Sequence, residues 1–346
     1  MEQNTEQTQG KKASPQKVAP GVPWLRSVVQ IGFVLFFILL GIQFAIFLRS
    51  LATPLDVPTA TRPPAVEAFL PISSLMSLVY LIKTGIANTV RPAGLVIFSL
   101  TIVLSLALRR GFCSWVCPIG TISEWAHKAG KKLFGRNLLM PLWLDISLRA
   151  VKYLLLAFFV YYIVRMSGAM LGQFIHGDYN RIADAKMYVF FSNISLVTAV
   201  VIIGLLVLSI VFKNFACRYL CPYGALLAVF SGFSATAVRR DVQKCINCGA
   251  CARACPNRIE VDKKIFVGSA DCTACYNCIH ACKKPEALRM GVPGGRRISF
   301  AAYGIIVIVS FILASQIARA CHYWQSDTTT AHYKQLYQNM EQIGHP

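Results

Sequence analysis

Charge is what this chain of 346 residues has least of. Only 14 % of it is Asp, Glu, Lys or Arg, against about 25 % in an average soluble domain. Hydrophobic residues make up 55 %, and the mean hydropathy of +0.52 is that of a membrane protein. The charge that remains is one-sided, with 35 Lys and Arg facing 15 Asp and Glu for a net +20. These basic residues sit in loops between apolar runs. They form no basic helix or aromatic-rich face, which excludes nucleic acid as the expected partner. Histidine is scarce as well. His127, His176, His280, His322, His332 and His345 are the whole set. None falls in the middle of an apolar run and no Cys-x-x-Cys-His occurs, so neither a transmembrane nor a c-type haem is expected. A P-loop, a dinucleotide fingerprint and a nucleophile triad are all absent.

Cysteine is what the chain does have, thirteen in all, twelve of them in patterned groups. The stretch from Cys245 to Cys282 reads CINCGACARACP and then CTACYNCIHAC, with sixteen residues between Cys255 and Cys272. Each run is C-x-x-C-x-x-C-x-x-x-C, the spacing of a two-cluster ferredoxin in which thiolates hold [4Fe–4S] cubes. Three closely spaced cysteines wrap one cube, while the fourth lies further on and serves the other. This logic assigns Cys245, Cys248, Cys251 and Cys282 to cluster one, and Cys272, Cys275, Cys278 and Cys255 to cluster two. Paired zinc sites are the bland alternative, but zinc ribbons separate C-x-x-C pairs by a longer loop. Lys244, Arg253, Arg258, Lys263, Lys264, Lys283 and Lys284 offset the cluster charge. Only the first run keeps a Pro directly after its last cysteine (Pro256); in the second, Pro285 comes later. Reduced thiolates point to the cytoplasm rather than to a disulfide framework.

Five apolar runs are expected to span a bilayer, which takes about 20 residues each: Trp24–Leu48, Pro92–Leu108, Leu148–Val164, Asn193–Phe212 and Ser299–Ala318. The first exceeds a signal-peptide core and reads as an uncleaved anchor. Residues 1–23 read as a disordered cytoplasmic tail, and Pro54, Pro58, Pro63 and Pro64 as loop. Ala65–Ile82, broken at Pro71, reads as interfacial. The domains are therefore residues 24–238 (membrane), 239–292 (ferredoxin-like) and 293–346 (fifth helix and a short periplasmic tail). With the N-terminus inside, inner segments carry twenty-four Lys and Arg against nine outside, which agrees with the positive-inside rule. Arg149 and Lys152 are expected to snorkel to headgroups. Gln30 and Gln43 suit a helix–helix hydrogen bond more than a quinone. His280 reads as a neighbour of the clusters rather than a ligand. Cys321, His322, His332 and His345 are too scattered to make a metal site the expected use.

Two further cysteine pairs form an internal repeat. RRGFCSWVCPIG and KNFACRYLCPYG each follow a hairpin of apolar runs, and Cys113 and Cys217 are 104 residues apart. The repeat predicts that Cys113, Cys117, Cys217 and Cys221 gather about a pseudo-twofold axis as a four-thiolate metal or iron–sulfur site. Pro after the second cysteine of each pair predicts new helices from Pro118 and Pro222, with Cys117 and Cys221 at their N-caps. Two packed reduced pairs or two disulfides are the alternatives.

Two C-x-x-x-C-P motifs after membrane helices, followed by a two-cluster ferredoxin segment, resemble the NapH, NosR and CcoG superfamily of membrane polyferredoxins, and most closely its YccM-type members. The residues that carry the resemblance are FCSWVCPIGTISE, KLFGR, WLDISLRAVKYLLL, CRYLCPYGALLAV and the terminal IGHP. The resemblance implies a multi-pass protein of the bacterial inner membrane, embedded in lipid, with clusters on the cytoplasmic side. It implies electron exchange between the quinone pool and a redox protein, as in a quinol dehydrogenase component. The chain departs from it by a fifth span, a short outer tail and no large flavin-bearing or sandwich domain, so neither flavin transfer nor copper handling is expected. Redox sensing or cofactor assembly is the alternative function.

Overall fold

The computed structural model describes residues 24–52, 60–135, 138, 140–284, 286–292 and 295–345. The N-terminal tail, Pro54, Pro58 and Pro285 lie outside the described residues. Among the described residues the structure is mainly helical, with one small sheet. Helix α1 covers Trp24–Ala52 and α2 covers Pro71–Thr84, preceded by a 3-10 turn at Pro64–Phe69; α3 covers Pro92–Leu108. A single turn at Gly111–Trp115 carries the first motif into α4, Pro118–Phe134. Then come α5, Leu142–Arg165; α6, Gly168–His176; α7, Ala183–Ser192; and α8, Leu196–Val211. A π-helical turn at Ala216–Leu220 carries the second motif into α9, Pro222–Gly232. After the ferredoxin segment, α10 covers Phe300–Ala320 and α11 covers Thr330–Gln338.

Among the described residues three helices, α1, α5 and α10, are long and apolar enough to cross a membrane by themselves. Their flanks expose Leu39, Leu154, Phe158 and Leu313, side chains that lipid accommodates and water does not. α3 and α8 are shorter, with 17 and 16 residues, about 25 Å at a rise of ~1.5 Å per residue, and the hydrocarbon core is ~30 Å thick. α7 and α8 meet at a bend of 84°, where Ser195 caps α8 through the Thr198 N–H. α2 packs against α3 and α6. Its serines are buried, with Ser73 donating to Asn180 Oδ1 at 2.8 Å and Asn88 donating to Ser77 at 2.6 Å. Two of its serines thus link this stretch to its neighbours in the fold.

The internal repeat is visible in how the helices pack. α3, which leads into the first motif, packs on α9, which leaves the second; α8, which leads into the second, packs on α4, which leaves the first. At the end of the bundle far from the ferredoxin segment, Arg62 and Arg91 pair with Asp184 at 2.8 and 3.2 Å, and Arg62 with Glu67 at 3.2 Å. Tyr333 of α11 closes this buried group by donating to Asp184 at 3.0 Å.

The ferredoxin segment rests on a three-stranded antiparallel sheet of order β2-β1-β3: β1 is Ala237–Arg240, β2 is Phe266–Val267 and β3 is Leu288–Gly291. Val238 pairs with Val267 on one side and Met290 on the other. These three and Leu288 are buried in one cluster with Cys255, Cys272, Cys278 and Tyr276. That core continues without a break into Trp115, Tyr303 and Val307 of the bundle.

Candidate functional site

The two cysteine loops wrap in the same way. Asn247 and Gly249 in the first loop, and Ala274 and Tyr276 in the second, occupy matching places in C-x-x-C-x-x-C, and all four have positive φ, between 48° and 65°. Left-handed backbone at Asn, Ala and Tyr is unfavourable by roughly 1–2 kcal/mol per residue, so its recurrence at matching positions marks loops curled around a common shape. The third cysteine of each loop enters a single helical turn, Ala250–Ala254 or Asn277–His280. The fourth cysteine then crosses over. Burial first, then the nearby Cys275 and Cys272, push the Cys255 thiol up to about 12. Burial also raises Cys282, which feels Cys248 and Cys245, and Cys251 feels Cys282. The fold thus brings Cys282 to the 245–251 loop and Cys255 to the 272–278 loop.

The donor set and spacing fit cubes better than single ions. Four sulfurs about 2.3 Å from one zinc would crowd to within ~4 Å of each other, and among the described residues no three Cys, His, Asp or Glu converge in that way. Bound [4Fe–4S] cubes would supply one-electron redox chemistry here. Of the C-terminal histidines, His332 faces Asp178 at 3.9 Å and the His345 ring lies against Tyr179. His280 packs edge-on against Phe300.

The four remaining cysteines do come together. Cys117 and Cys221 hold the N-caps of α4 and α9, in extended backbone, with Pro118 and Pro222 at the first helical positions. Cys221 Sγ accepts from the Gly224 N–H at 3.2 Å. Burial raises Cys113 to about 11, with Cys221 adding to it, and Cys117 to about 12, with Cys113 and Cys221 adding. Cys217 is pushed well up by burial, then by Cys117, Cys221 and Cys113. Half-buried thiols on one cavity wall that raise one another in this way suit an iron–sulfur cluster, whose positive iron favours the thiolate. Gly120 is what allows the first turn to close, because a Cβ there would lie 2.1 Å from Cys113 O.

All four cysteines line one cavity of about 1260 Å³, which makes them accessible from it. Its walls are α1, α3 and α10, and it reaches Arg62 and Thr328 at the far end. Gln43 lines it as well. Gln30 does not; it donates to Ser114 O at 3.0 Å and to Glu124 at 3.1 Å, joining α1 to the first motif.

The first motif is fastened to the loop of cluster two. Ser114 donates to Thr273 O at 2.6 Å, Trp115 Nε1 to Ala274 O at 3.1 Å, and Arg26 to Cys275 O at 3.2 Å. Arg109 donates to Gly268 O at 3.0 Å and Thr236 O at 2.6 Å. Lys152 pairs with Asp271 at 2.9 Å, and Arg149 with Asp145 at 2.5 Å and Asp271 at 3.7 Å. Lys152 does not snorkel to headgroups as expected, whereas Arg149 stays partly exposed beside its two acids. α5 begins at Leu142, so Lys152 lies well inside it and is buried. The Asp271 carboxylate offers it a fixed ion pair in place of a mobile phosphate. Asp145 also takes Arg218 at 2.9 Å, and this neutralisation lets an acid sit in the first turn of an apolar helix. This network, invisible in sequence order, had one usable signal: Asp271 directly precedes the first cysteine of cluster two.

A helical bundle with an internally duplicated cysteine motif, docked on a two-loop ferredoxin segment, defines a membrane polyferredoxin. Residues 90–137 and 194–241 each match the model of a 4Fe-4S binding domain, and residues 237–283 match that of a 4Fe-4S dicluster domain. The chain belongs to the NapH/NosR-type polyferredoxin family. It is similar to the putative electron transport protein YccM of Escherichia coli (strain K12), 38 % identical over 314 residues, which cover 89 % of this chain and 88 % of that protein. It is also similar to the ferredoxin-type protein NapH of the same strain, 28 % identical over 61 % of this chain and 71 % of the relative. The regulatory protein NosR of Stutzerimonas stutzeri is 28 % identical over 54 % of this chain and 25 % of its own length. No solved structure matches.

Proposed function

We propose that this iron–sulfur electron-transfer protein exchanges electrons between a membrane quinone pool and a redox protein. In this reading five helices span a bacterial inner membrane and both ferredoxin clusters face the cytoplasm. The fastening of the first C-x-x-x-C-P motif to the cluster-two loop carries the reading. From bilayer to surface, the cysteine sets then run Cys113, Cys117, Cys217 and Cys221; Cys255, Cys272, Cys275 and Cys278; Cys245, Cys248, Cys251 and Cys282. The last set ends at solvent, beside exposed Val242 and Ile246, where a redox protein has access. At the other end of the series, the four-cysteine wall opens on a cavity of apolar character within the helices, which suits a lipid-soluble carrier.

A sensing or assembly role is the second reading, favoured by the regulatory name of one relative. Stopped-flow mixing of anaerobic, cluster-replete protein with a quinol analogue separates the two. Cluster bleaching within a respiratory turnover is expected; bleaching far slower, with clusters intact, would exclude the carrier role.

A further inference from the structure

Tyr223 stands where the first motif has Ile119, so the repeat is chemically unequal at this position. Its ring lies in the cavity wall with Cys113 and Cys117, stacked on Phe98 at 5.7 Å and edge-on to Phe112 at 5.8 Å. Its hydroxyl meets the hydroxyl of Thr101 on α3, and Thr101 Oγ1 also lies 2.7 Å from Phe98 O. The arrangement that uses both protons runs one way: Tyr223 donates to Thr101, and Thr101 donates to the Phe98 carbonyl. A phenol whose proton is already committed has only acceptor capacity left. A hydroquinone hydroxyl can donate to it, whereas a quinone carbonyl, itself an acceptor, cannot.

The rest of the cavity fits the remainder of such a molecule. Its 1260 Å³ exceeds the ~300–1,000 Å³ of ordinary small-molecule sites. Gly32 and Phe36 of α1, Ile97 of α3 and Ile308 and Ile312 of α10 extend it away from the cysteines along the helices, as an isoprenoid tail requires. We propose that this cavity is a hydroquinone site, with the headgroup at Tyr223 beside the four cysteines and Tyr223–Thr101 selecting the reduced form. The inference rests on the quinone-pool reading above and adds to it the residues and the preferred redox state.

Equilibrium binding of a hydroquinone analogue and of its quinone to the full chain in nanodiscs tests it, with the iron–sulfur spectrum of each variant confirming that it is folded. The wild type is expected to bind the hydroquinone more tightly. Tyr223→Phe should weaken that binding roughly three- to tenfold, the worth of one net hydrogen bond. Thr101→Val, which frees the Tyr223 proton for donation, should shift preference toward the quinone. Equal wild-type affinities for the two forms, an unchanged Tyr223→Phe, or an unshifted Thr101→Val would each overturn the assignment, while cluster reduction by quinol would still uphold the wider reading. Binding of neither form by the wild type would sink both.

Discussion

The indole Nε1–H of Trp115 donates to the backbone carbonyl of Ala274 at 3.1 Å. Trp115 lies between Cys113 and Cys117 of the membrane repeat, and Ala274 between Cys272 and Cys275 of the ferredoxin segment, 159 residues on. The indole is fully buried, packed on Phe300 and Tyr303, with Gly304 leaving room for its ring. One side chain therefore joins the bundle, α10 and a cluster loop. Trp115→Phe keeps most of the packing and leaves Ala274 O without its donor, a loss of about 1–3 kcal/mol. Earlier bleaching of cluster absorbance on heating is the expected outcome, and an unchanged melt would show that the bond contributes nothing.

The crossing of the fourth cysteines is testable by spectroscopy. Cys251→Ser and Cys282→Ser are expected to alter the same electron paramagnetic resonance signal of the reduced protein, and Cys255→Ser the other. Loss of one common signal in Cys255→Ser and Cys251→Ser would mean that each loop supplies all four of its own ligands.

Arg109 and Lys213 precede the two motifs by the same interval and approach the two ends of one cysteine set, Arg109 near Cys272 and Lys213 near Cys255. A unit charge about 10 Å away is worth roughly 1.7 kcal/mol at an effective dielectric of ~20. Lys213→Gln removes a cation that favours the reduced, more negative cluster. It is expected to lower the potential of cluster two by tens of millivolts and to leave cluster one in place. Redox titration followed by paramagnetic resonance reads both.

If the four membrane-side cysteines hold a third centre, anaerobically purified protein contains more than the roughly eight irons of two cubes. Cys113→Ser and Cys217→Ser would each remove the excess iron. Unchanged metal content and spectra in both, with all four thiols free to alkylate in the wild type, would dispose of the site.

The two motif glycines are predicted to differ. Gly120→Ala drives a Cβ to 2.1 Å from Cys113 O, backbone that cannot step aside, whereas at Gly224 the nearest atom is Cys221 Sγ at an ordinary 3.6 Å. Overpacking of this kind typically costs 1–3 kcal/mol. Gly120→Ala should therefore lose any third centre and Gly224→Ala retain it, as read by iron content at equal protein.

Spacing by itself determined the chemistry. C-x-x-C-x-x-C-x-x-x-C written twice is a local constraint on loop shape, and the interval of 104 residues between Cys113 and Cys217 revealed the duplication without any knowledge of packing. The N-cap positions of Cys117 and Cys221 were equally legible, since Pro restricts both its own backbone and that of the preceding residue. Helix limits were less so: α5 starts at Leu142 because Arg218 and Arg149 neutralise Asp145, and one of those partners is 73 residues distant. Lys152 and Arg149 looked like headgroup anchors for the same reason, their partner Asp271 being more than a hundred residues away. The short strands of the ferredoxin segment, two to four residues each, carry too little periodicity to announce themselves. Only the tertiary structure decided which motif touches which cluster, and it alone formed the cavity, because a wall shared by α1, α3, α10 and both motifs exists only when helices far apart in the chain are packed together.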